Sequence, residues 1–245
     1  MSHLPGKFIW FEHTSANPDG ARAFYTALMG WSVHDMPMGE QTYHAFVNGE
    51  QAIGGLRTLD KGQRAHWATW MSCADVDASV AHAIQAGAQA VMPPFDFPGM
   101  GRGASVRDPQ GALVYLWHAN DGDAPDVKLA PVGGWIWNEL MTSDLAAAKS
   151  FYCTAFGYSA SSMSTPEGEY QILSASDEAR GGIGQGEPIQ WTPYLRVGSV
   201  DDTLAQAVKA GATVKQPAFD LPGVGRIALL IDPFGVSLGL MQPPA

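Results

Sequence analysis

The chain has 245 residues, of which 46% are hydrophobic and 16% charged, a composition that supports a folded core and argues against intrinsic disorder. Its 14 basic and 24 acidic residues give a net charge of −10 without any basic run, so neither a nucleic-acid partner nor an anionic membrane is expected. No apolar stretch of about 18 residues occurs and the first residues lack an apolar signal core, so we expect a cytoplasmic protein. Cys73 and Cys153 form no CxxC motif, which predicts neither a disulfide scaffold nor a cysteine-based zinc site.

The first quarter of the chain carries the signals of one helix among strands. Aromatic and branched residues predict a strand over 7–14. Asn17 and Pro18 predict a helix start, because Asn caps helices and Pro fits their first turn, and Gly30 predicts the helix end. Two short strands joined by an Asn-Gly turn are predicted next, at 43–47 and 51–56.

The second quarter follows the same order of strand, helix and strands. A strand is predicted over 67–73 and a helix over 77–86, where apolar residues recur at helical spacing before Gly87. A further strand begins at Val91 and gives way to a loop rich in Pro and Gly. The hairpin predicted last has its strands at 104–107 and 112–118.

The second half of the chain repeats the first half. Trp10-Phe11-Glu12 corresponds to Trp137-Asn138-Glu139 at an offset of 127, and from Trp67, whose counterpart is Trp191, the offset is 124. We therefore predict two domains, 6–120 and 132–245, joined by a polar, proline-containing linker over 121–131. Each domain contains two strand–helix–strand units, so the chain contains four.

The ordered motifs resemble those of the vicinal oxygen chelate superfamily, which includes glyoxalase I, extradiol dioxygenases, fosfomycin-modifying enzymes and bleomycin-resistance proteins. The motifs are the helix from Asn17 to Gly30, Asp75-Val76-Asp77, Ala86-Gly87-Ala88 and Asp108-Pro109-Gln110-Gly111, each with a counterpart in the second half. The chain is similar, more narrowly, to a two-domain bacterial subfamily named glyoxalase-like or hydroxylase. The resemblance implies an α+β fold of paired βαβββ units, in which each domain is a curled mixed sheet that forms an open cup with helices outside.

Enzymes of that superfamily hold a divalent metal on three or four His or Glu side chains inside the cup, and the resemblance implies where these ligands should stand. The implied positions hold Trp10, Gly54-Gly55, Ala68 and Tyr115 in the first domain, and Trp137, Gly181-Gly182, Thr192 and Gly239 in the second. Because none of them is a His, Glu or Asp, we predict no metal and no other cofactor.

Glycines and large rings at these positions favour a pocket for a flat or bulky organic molecule, because glycine vacates volume and aromatic rings supply apolar walls. The residues predicted to line it are Trp10, Gly55, Trp67, Trp70, Tyr115, Trp137, Tyr170 and Trp191. Arg102 and Arg226, in the repeated Pro-Gly-x-Gly-Arg loop, are predicted to contact the ligand at the cup mouth; the alternative is a fold-stabilising bond to Asp96 or Asp220. The rings would also suit a filled core.

Glu12, its counterpart Glu139, and His66 are candidate acid–base groups or ligand anchors. Strand alternation places Glu12 on the same face as Trp10, and a carboxylate that faces an apolar cup suits acid–base work. The alternative is a structural glutamate bonded to nearby backbone. His13 alternates to the opposite face and is predicted at a surface or an interface.

We therefore predict a metal-independent protein that binds a small organic molecule in one or both cups, either to sequester it or to convert it. Two alternatives remain open at this point: a scaffold without ligand, and a metal-dependent lyase or dioxygenase whose ligands are displaced to Glu12, His44, His66 and Glu139. Two domains in one chain are compatible with a monomer or a homodimer.

Overall fold

A computed structural model describes residues 2–38, 41–59, 62–165 and 168–244. The first half of the chain forms, in order, β1 (Phe8–Ser15), α1 (Pro18–Met29), β2 (Ser32–Met38), β3 (Gln41–Asn48), β4 (Gln51–Thr58), β5 (His66–Ser72), α2 (Val76–Gln85), β6 (Gln89–Phe97), β7 (Gly101–Arg107) and β8 (Leu113–Ala119). The second half forms β9 (Trp135–Thr142), α3 (Leu145–Phe156), β10 (Ser159–Thr165), β11 (Gly168–Ala175), β12 (Glu178–Gln185), β13 (Gln190–Arg196), α4 (Val200–Lys209), β14 (Thr213–Leu221), β15 (Gly225–Ile231) and β16 (Ser237–Gln242).

The strands form two mixed sheets of eight, one from each half of the chain. Their orders are β2-β3-β4-β1-β5-β8-β7-β6 and β10-β11-β12-β9-β13-β16-β15-β14. In the first sheet the pairs β1–β4 and β5–β8 are parallel, whereas the neighbouring hairpins are antiparallel. The predicted α+β class, with two curled mixed sheets built from four βαβββ units, is confirmed.

Helix boundaries follow the capping residues that the sequence contains. The side chain of Asn17 accepts a hydrogen bond from the Gly20 amide, which satisfies a donor that the first turn leaves unpaired. Gly30 then adopts the left-handed conformation, with φ of 70°, and its N–H donates to the Thr26 carbonyl. Asp75 caps α2 in the same way, through the Ala78 amide. These local signals explain why the helices were predicted well.

Two edge strands differ from the prediction. β2 was not predicted, because its sequence SVHDMPM has no apolar alternation. β6 was expected to end in a loop rich in Pro and Gly, but it continues through Pro93 and Pro94 to Phe97. Both strands lie at the edge of their sheet, where a missing N–H disturbs no ladder, and β6 carries register shifts around Met92.

The chain packs as two compact units built from discontinuous segments. Unit 1 comprises Met1–Trp10, Thr69–Val127 and Asn138–Trp191, and unit 2 comprises Phe11–Ala68, Lys128–Trp137 and Thr192–Ala245. Each unit takes strands from both sheets. Helix α2 contacts α3 in unit 1, and α1 contacts α4 in unit 2. The strands of the two sheets lie within 8–119 and 135–242, whereas each compact unit combines parts of both repeats.

Each of these groups of strands packs one face against a helix. In unit 1, α2 contacts β6, β7 and β8, and in unit 2, α4 contacts β14, β15 and β16. We call the second face of each strand group the helix-free face. In the part of the chain that the structure describes, no helix is long and apolar enough to cross a membrane.

Candidate ligand-binding site

A tyrosine–glutamate pair lies on the helix-free face of unit 2. The Tyr43 hydroxyl donates a hydrogen bond to Glu12 Oε1 at 2.8 Å. Glu12 is paired in register with Gly55 of β4. A Cβ atom at Gly55 would approach the Tyr43 hydroxyl to 2.0 Å, so only glycine lets this ring lie beside the carboxylate. Glu12 is buried and Tyr43 is half-buried.

The second repeat has the same arrangement in unit 1. Glu139 is paired in register with Gly182, and a Cβ atom at Gly182 would approach the Tyr170 hydroxyl to 2.1 Å. Glu139 and Tyr170 are both half-buried. The structure therefore brings the predicted Glu12 together with Gly55, and the predicted Glu139 and Tyr170 together over Gly182. Tyr43 was not predicted, although its counterpart Tyr170 was.

An aromatic surface occupies the helix-free face of β5–β8 in unit 1. Directly paired residues project to the same side of a sheet. The pairs Trp70–Tyr115, Gly103–Trp117 and Phe95–Gly103, with Phe97 opposite Gly101, place five rings on this face. The aromatic face consists of Trp70, Phe95, Phe97, Tyr115 and Trp117.

Gly103 lies beneath three of these rings. A Cβ atom there would come within 3.0 Å of Trp70 and Phe97 and within 3.1 Å of Trp117. The ring centroids of Trp70 and Trp117 are 5.8 Å apart and those of Phe97 and Trp117 are 5.2 Å apart, both edge to face. This separation is favourable for aromatic pairs. Phe95, Phe97 and Trp117 were missed from sequence. Trp117 is two residues from the predicted Tyr115, and Phe95 is two residues from Phe97, and a spacing of two puts each pair on one face of its strand.

The equivalent face of unit 2 has a buried apolar centre with partly buried residues around it. Tyr194, Ile227, Leu229 and Met241 form a cluster in which every member is at most 9% exposed, and Trp137 packs against it. The Tyr194 ring lies directly over Gly239, where a Cβ atom would come within 2.2 Å of it. The predicted Trp137 is therefore half-buried and packs against this cluster.

Trp67 and Trp191 were predicted to line the pocket, but the structure places them in the cores beside the helices. Trp67 is 3% exposed and packs on the rings of Tyr25 and Trp135, with centroid distances of 5.2 Å and 5.0 Å. Trp191 donates its indole N–H to the Tyr152 hydroxyl at 3.0 Å. Trp67 is an odd number of residues from Trp70, and alternation turns it to the other side of β5.

Arg102 and Arg226 are engaged by carboxylates. Arg102 donates two hydrogen bonds to Asp77, at 2.6 Å and 2.9 Å, and a third to Asp96 at 2.6 Å. Arg226 binds Asp201 and Asp220 in the same geometry. The hydrogen bonds from Arg102 lower the pKa of Asp77, as expected of a bidentate pair. The predicted alternative, a bond to Asp96 or Asp220, is present in both repeats.

The displaced ligands proposed for a metal do not assemble. His44 Nδ1 lies 2.7 Å from Asp35 Oδ1 and lowers the pKa of that carboxyl, and the pairing register puts His44 one residue out of phase with Tyr43. His66 Nδ1 lies 2.8 Å from the Arg64 carbonyl. The predicted Trp10 is half-buried on β1.

The donor atoms around the Glu–Tyr pairs do not fit the superfamily's divalent metal. Three or four imidazole or carboxylate ligands are needed, and here a carboxylate meets a phenol and a glycine. Within residues 2–38, 41–59, 62–165 and 168–244, no group of three or more His, Cys, Asp or Glu side chains is placed to hold a metal ion.

A buried polar network near α1 was not predicted. His13, predicted at a surface or an interface, is fully buried, and its Nε2 lies 2.7 Å from Asp232 Oδ2. The Tyr25 hydroxyl donates to the same oxygen at 2.9 Å. Burial, with the adjacent carboxylate, raises the pKa of Tyr25 well above its ordinary value. The sequence signal was the repeated Asp-Pro-x-Gly turn, which supplies Asp232.

Comparisons with known proteins support the fold described above. Residues 10–116 match the glyoxalase-like domain family, and residues 134–240 match the glyoxalase/bleomycin resistance protein/dioxygenase superfamily. CFP32 of Mycobacterium bovis, provisionally named a glyoxylase, is 35% identical over 96% of this chain and 94% of its own length. The anthracycline biosynthesis protein DauV of a Streptomyces species is 27% identical over 97% of this chain and 94% of its own.

Two solved structures show the same fold at low identity. The Mn(II)-bound glyoxalase of Novosphingobium aromaticivorans is 20% identical with a TM-score of 0.67, covering 99% of this chain and 83% of that chain. The 2,2′,3-trihydroxybiphenyl 1,2-dioxygenase of Sphingomonas wittichii is 16% identical with a TM-score of 0.64, covering 99% and 91%. The chain therefore belongs to the glyoxalase/bleomycin-resistance/dioxygenase group of the vicinal oxygen chelate superfamily, as a protein with two such domains.

Proposed function

We propose that this protein binds a small organic molecule, aromatic or bulky, on its helix-free faces without a metal ion. The observation that carries the proposal is the hydrogen bond from Tyr43 to Glu12 beside Gly55. A phenol and a carboxylate held side by side form a recognition pair for a polar substituent on an otherwise apolar ligand.

The pair also has a chemical capacity. Tyr43 donates to one carboxylate oxygen of Glu12, which orients the carboxylate. An oriented carboxylate in a buried position accepts hydrogen bonds from a ligand hydroxyl or amine, and it is a suitable proton acceptor. Sequestration of a ligand uses only the hydrogen bonding by Glu12, whereas metal-independent conversion would use both the hydrogen bonding and the proton transfer.

The relatives support an aromatic ligand. DauV is named for anthracycline biosynthesis, and anthracyclines are fused-ring aromatic compounds. The aromatic face of unit 1 offers the apolar walls that such a compound needs. A small-molecule ligand, and a monomer or homodimer without nucleic-acid or membrane partners, remain our expectation for its interactions.

Thermal-shift screening of hydroxylated naphthalenes, anthraquinones and bulky aliphatic compounds, with and without EDTA, tests the proposal. We expect a ligand that raises Tm equally in both conditions, since a ligand of the folded state stabilises it by mass action. Glu12→Gln and Tyr43→Phe are each expected to weaken binding about tenfold, because each removes a charge-assisted hydrogen bond. Glu50→Gln, at an exposed position of the same unit, should bind normally.

The contrary results are equally specific. One tightly bound divalent metal per purified chain, lost in Glu12→Ala, would replace this proposal with a metal-dependent enzyme. The absence of any shift across the screen would favour the scaffold without ligand.

A further inference from the structure

The Glu–Tyr arrangement occurs in both units, and its two copies have different neighbours. In each unit the glutamate is paired in register with a glycine, and the phenol of a tyrosine lies over that glycine. The copy in unit 2 is built around Glu12 and the copy in unit 1 around Glu139. Because the register and the place of the phenol are the same, unit 1 offers a second set of the same ligand-binding groups.

The first difference between the copies is a charge. In unit 2, Thr14 is paired in register with Arg57. Thr14 lies two residues after Glu12, so strand alternation puts Arg57 on the same face of the sheet as the Glu12 carboxylate. In unit 1 the corresponding pair is Met141 and Gly184. A guanidinium therefore accompanies the carboxylate in unit 2, and a glycine stands at the corresponding position of unit 1.

The second difference is in the apolar side chains around the copies. In unit 1, Ile172 is paired in register with Gly182, which puts it on the face of the Tyr170 phenol. A Cβ atom at Gly184 would approach the Met141 Sδ atom to 3.2 Å and the Tyr170 ring to 3.6 Å, so the thioether and the ring lie together. The side chains of Met141 and Ile172 are half-buried. A flexible thioether adapts its shape to the apolar body of a ligand.

The groups of unit 1 suit an organic ammonium ion. The half-buried carboxylate of Glu139 has the opposite charge and accepts charge-assisted hydrogen bonds from N–H groups. The Tyr170 ring and the Met141 sulfur are polarisable, and an aromatic ring attracts a cation. In unit 2 a ligand cation would meet the positive charge of Arg57 on the same face, which weakens its attraction to Glu12.

We propose that the Glu139–Tyr170 pair of unit 1 is a second ligand site that takes the ammonium group of an organic cation, and that Arg57 favours neutral hydrogen-bond donors, such as hydroxyl groups, at the Glu12–Tyr43 pair of unit 2. The inference rests on the proposed function and deepens it. It assigns a second site, the ligand charge at each site and the residue that discriminates between the sites.

Calorimetric titration with 2-naphthylmethylamine and 2-naphthylmethanol tests the proposal. The two probes share one ring system, and in neutral solution the first is a cation whereas the second carries no charge. We expect the amine to bind one tighter site per chain, with an affinity at least about tenfold above that of the alcohol, because a hydrogen bond between two charged groups is the stronger one.

The variants of unit 1 locate the tighter amine site. Glu139→Gln keeps the shape of the side chain and is expected to weaken amine binding at least about tenfold, because it removes the negative charge. Gly182→Ala should also weaken it, since the added Cβ atom displaces the Tyr170 phenol. Glu178→Gln, at an exposed position of β12, is the matched control and should bind as the wild type does. Glu12→Gln should leave the tighter amine site intact.

The variants of Arg57 test the discrimination between the sites. Arg57→Gly introduces the residue of the second repeat, and it is expected to strengthen amine binding at the weaker site about fivefold, because a like charge is removed. Arg57→Gln keeps more of the side chain and carries the same expectation should the glycine variant not fold. Binding of the neutral alcohol should change less than that of the amine in both variants.

Several results would overturn the inference. They are loss of the tighter amine site in Glu12→Gln but not in Glu139→Gln, equal affinity of that site for both probes, or an unchanged weaker site in the Arg57 variants. A wild-type protein that does not bind the amine would overturn it as well. The proposed function survives each of these results if a compound binds through Glu12 and Tyr43, and it fails by itself if no compound of any class binds.

Discussion

Units 1 and 2 contain the same buried tyrosine–aspartate contact in two different settings. In unit 1 the Tyr152 hydroxyl donates to Asp108 at 3.0 Å, and in unit 2 Tyr25 donates to Asp232 at 2.9 Å. In both units the tyrosine comes from the helix of one repeat and the aspartate from the last turn of the other. The contact therefore joins the repeats, and it is the part that both units share.

The difference lies in what surrounds the contact. Unit 2 adds His13 as a second partner of Asp232, whereas the corresponding residue of unit 1 is Leu140. Burial raises the pKa of Asp108, against the effect of hydrogen bonds from nearby backbone amides and Tyr152. The comparison shows that one tyrosine donor is sufficient for this contact between the repeats, and that the histidine is an additional partner in unit 2.

The largest effect is expected from Asp232→Ala. It leaves the buried His13 ring and the Tyr25 hydroxyl without their acceptor, which should lower the free energy of unfolding by about 3–5 kcal/mol. The matched variant Asp108→Ala should cost less, about 2–3 kcal/mol, because Tyr152 is the one side chain whose acceptor is lost in the described structure. Urea unfolding followed by tryptophan fluorescence measures both.

Equal losses in the two variants would contradict a contribution from His13. If Asp232→Ala does not fold, Asp232→Asn and Asp108→Asn provide a milder pair with the same expected order.

An intermediate effect is expected at a second point of difference between the units. In unit 2, Phe11 stacks on Trp135 with a centroid distance of 4.3 Å. Its counterpart in unit 1 is Asn138, which is 1% exposed and whose two amide atoms have no hydrogen-bond partner among the described residues. Asn138→Leu should therefore stabilise the protein by about 1–2 kcal/mol, since an unpaired buried amide is costly.

Thermal unfolding measures this gain, with the exposed Asn120→Leu as a control that should show none. A loss of stability in Asn138→Leu would mean that the amide has partners, such as internal water, that the leucine cannot replace.

The smallest effect concerns the linker, whose two parts make different hydrogen bonds in the two units. In unit 1 Asp126 accepts hydrogen bonds from Lys7 at 2.8 Å and Arg180 at 2.6 Å, whereas in unit 2 Arg196 donates to the Ala130 carbonyl. Burial raises the pKa of Asp126, but the hydrogen bonds from Lys7 and Arg180 outweigh it and the pKa is lowered.

A lowered pKa stabilises the fold above the ordinary aspartate value of about 3.9, and the contribution is lost as the pH falls through the folded-state value. Asp126→Asn should therefore cost about 0.5 kcal/mol at pH 7, and nothing once the pH lies below both values. Unfolding curves at pH 7 and pH 3 measure the difference, and the exposed linker variant Asp121→Asn is the control. An Asp126→Asn loss that persists unchanged at pH 3 would contradict this account.

Sequence reasoning succeeded where the signal is local or repeated. Asn17 and Gly30 marked a helix by capping chemistry, and the 127-residue offset identified the tandem βαβββ units. It failed where the residue type was considered without the side of the strand to which the side chain points. Trp67 and Trp70 are both tryptophans, but they lie on opposite sides of β5. No local pattern could predict that His13 meets Asp232, because 219 residues separate them.

The candidate site was predicted in part. Gly55 was identified because it stands where the resemblance implies a metal ligand, and Glu12 because strand alternation places it on the same face as Trp10. Tyr43 was missed, since its role depends on how β3 and β4 align around Gly55.

The discontinuous make-up of the units has a consequence for synthesis on the ribosome. Unit 1 has all of its residues once Trp191 has emerged, whereas unit 2 begins at Phe11 yet requires β14–β16 at the end of the chain. Because chains emerge at about 5–20 residues per second, the early strands and α1 of unit 2 wait roughly 10–35 seconds for the strands at the other end of their unit. The early segment of unit 2 is thus synthesised before most of unit 1 but is completed after it, and its apolar side chains are exposed to aggregation for longer.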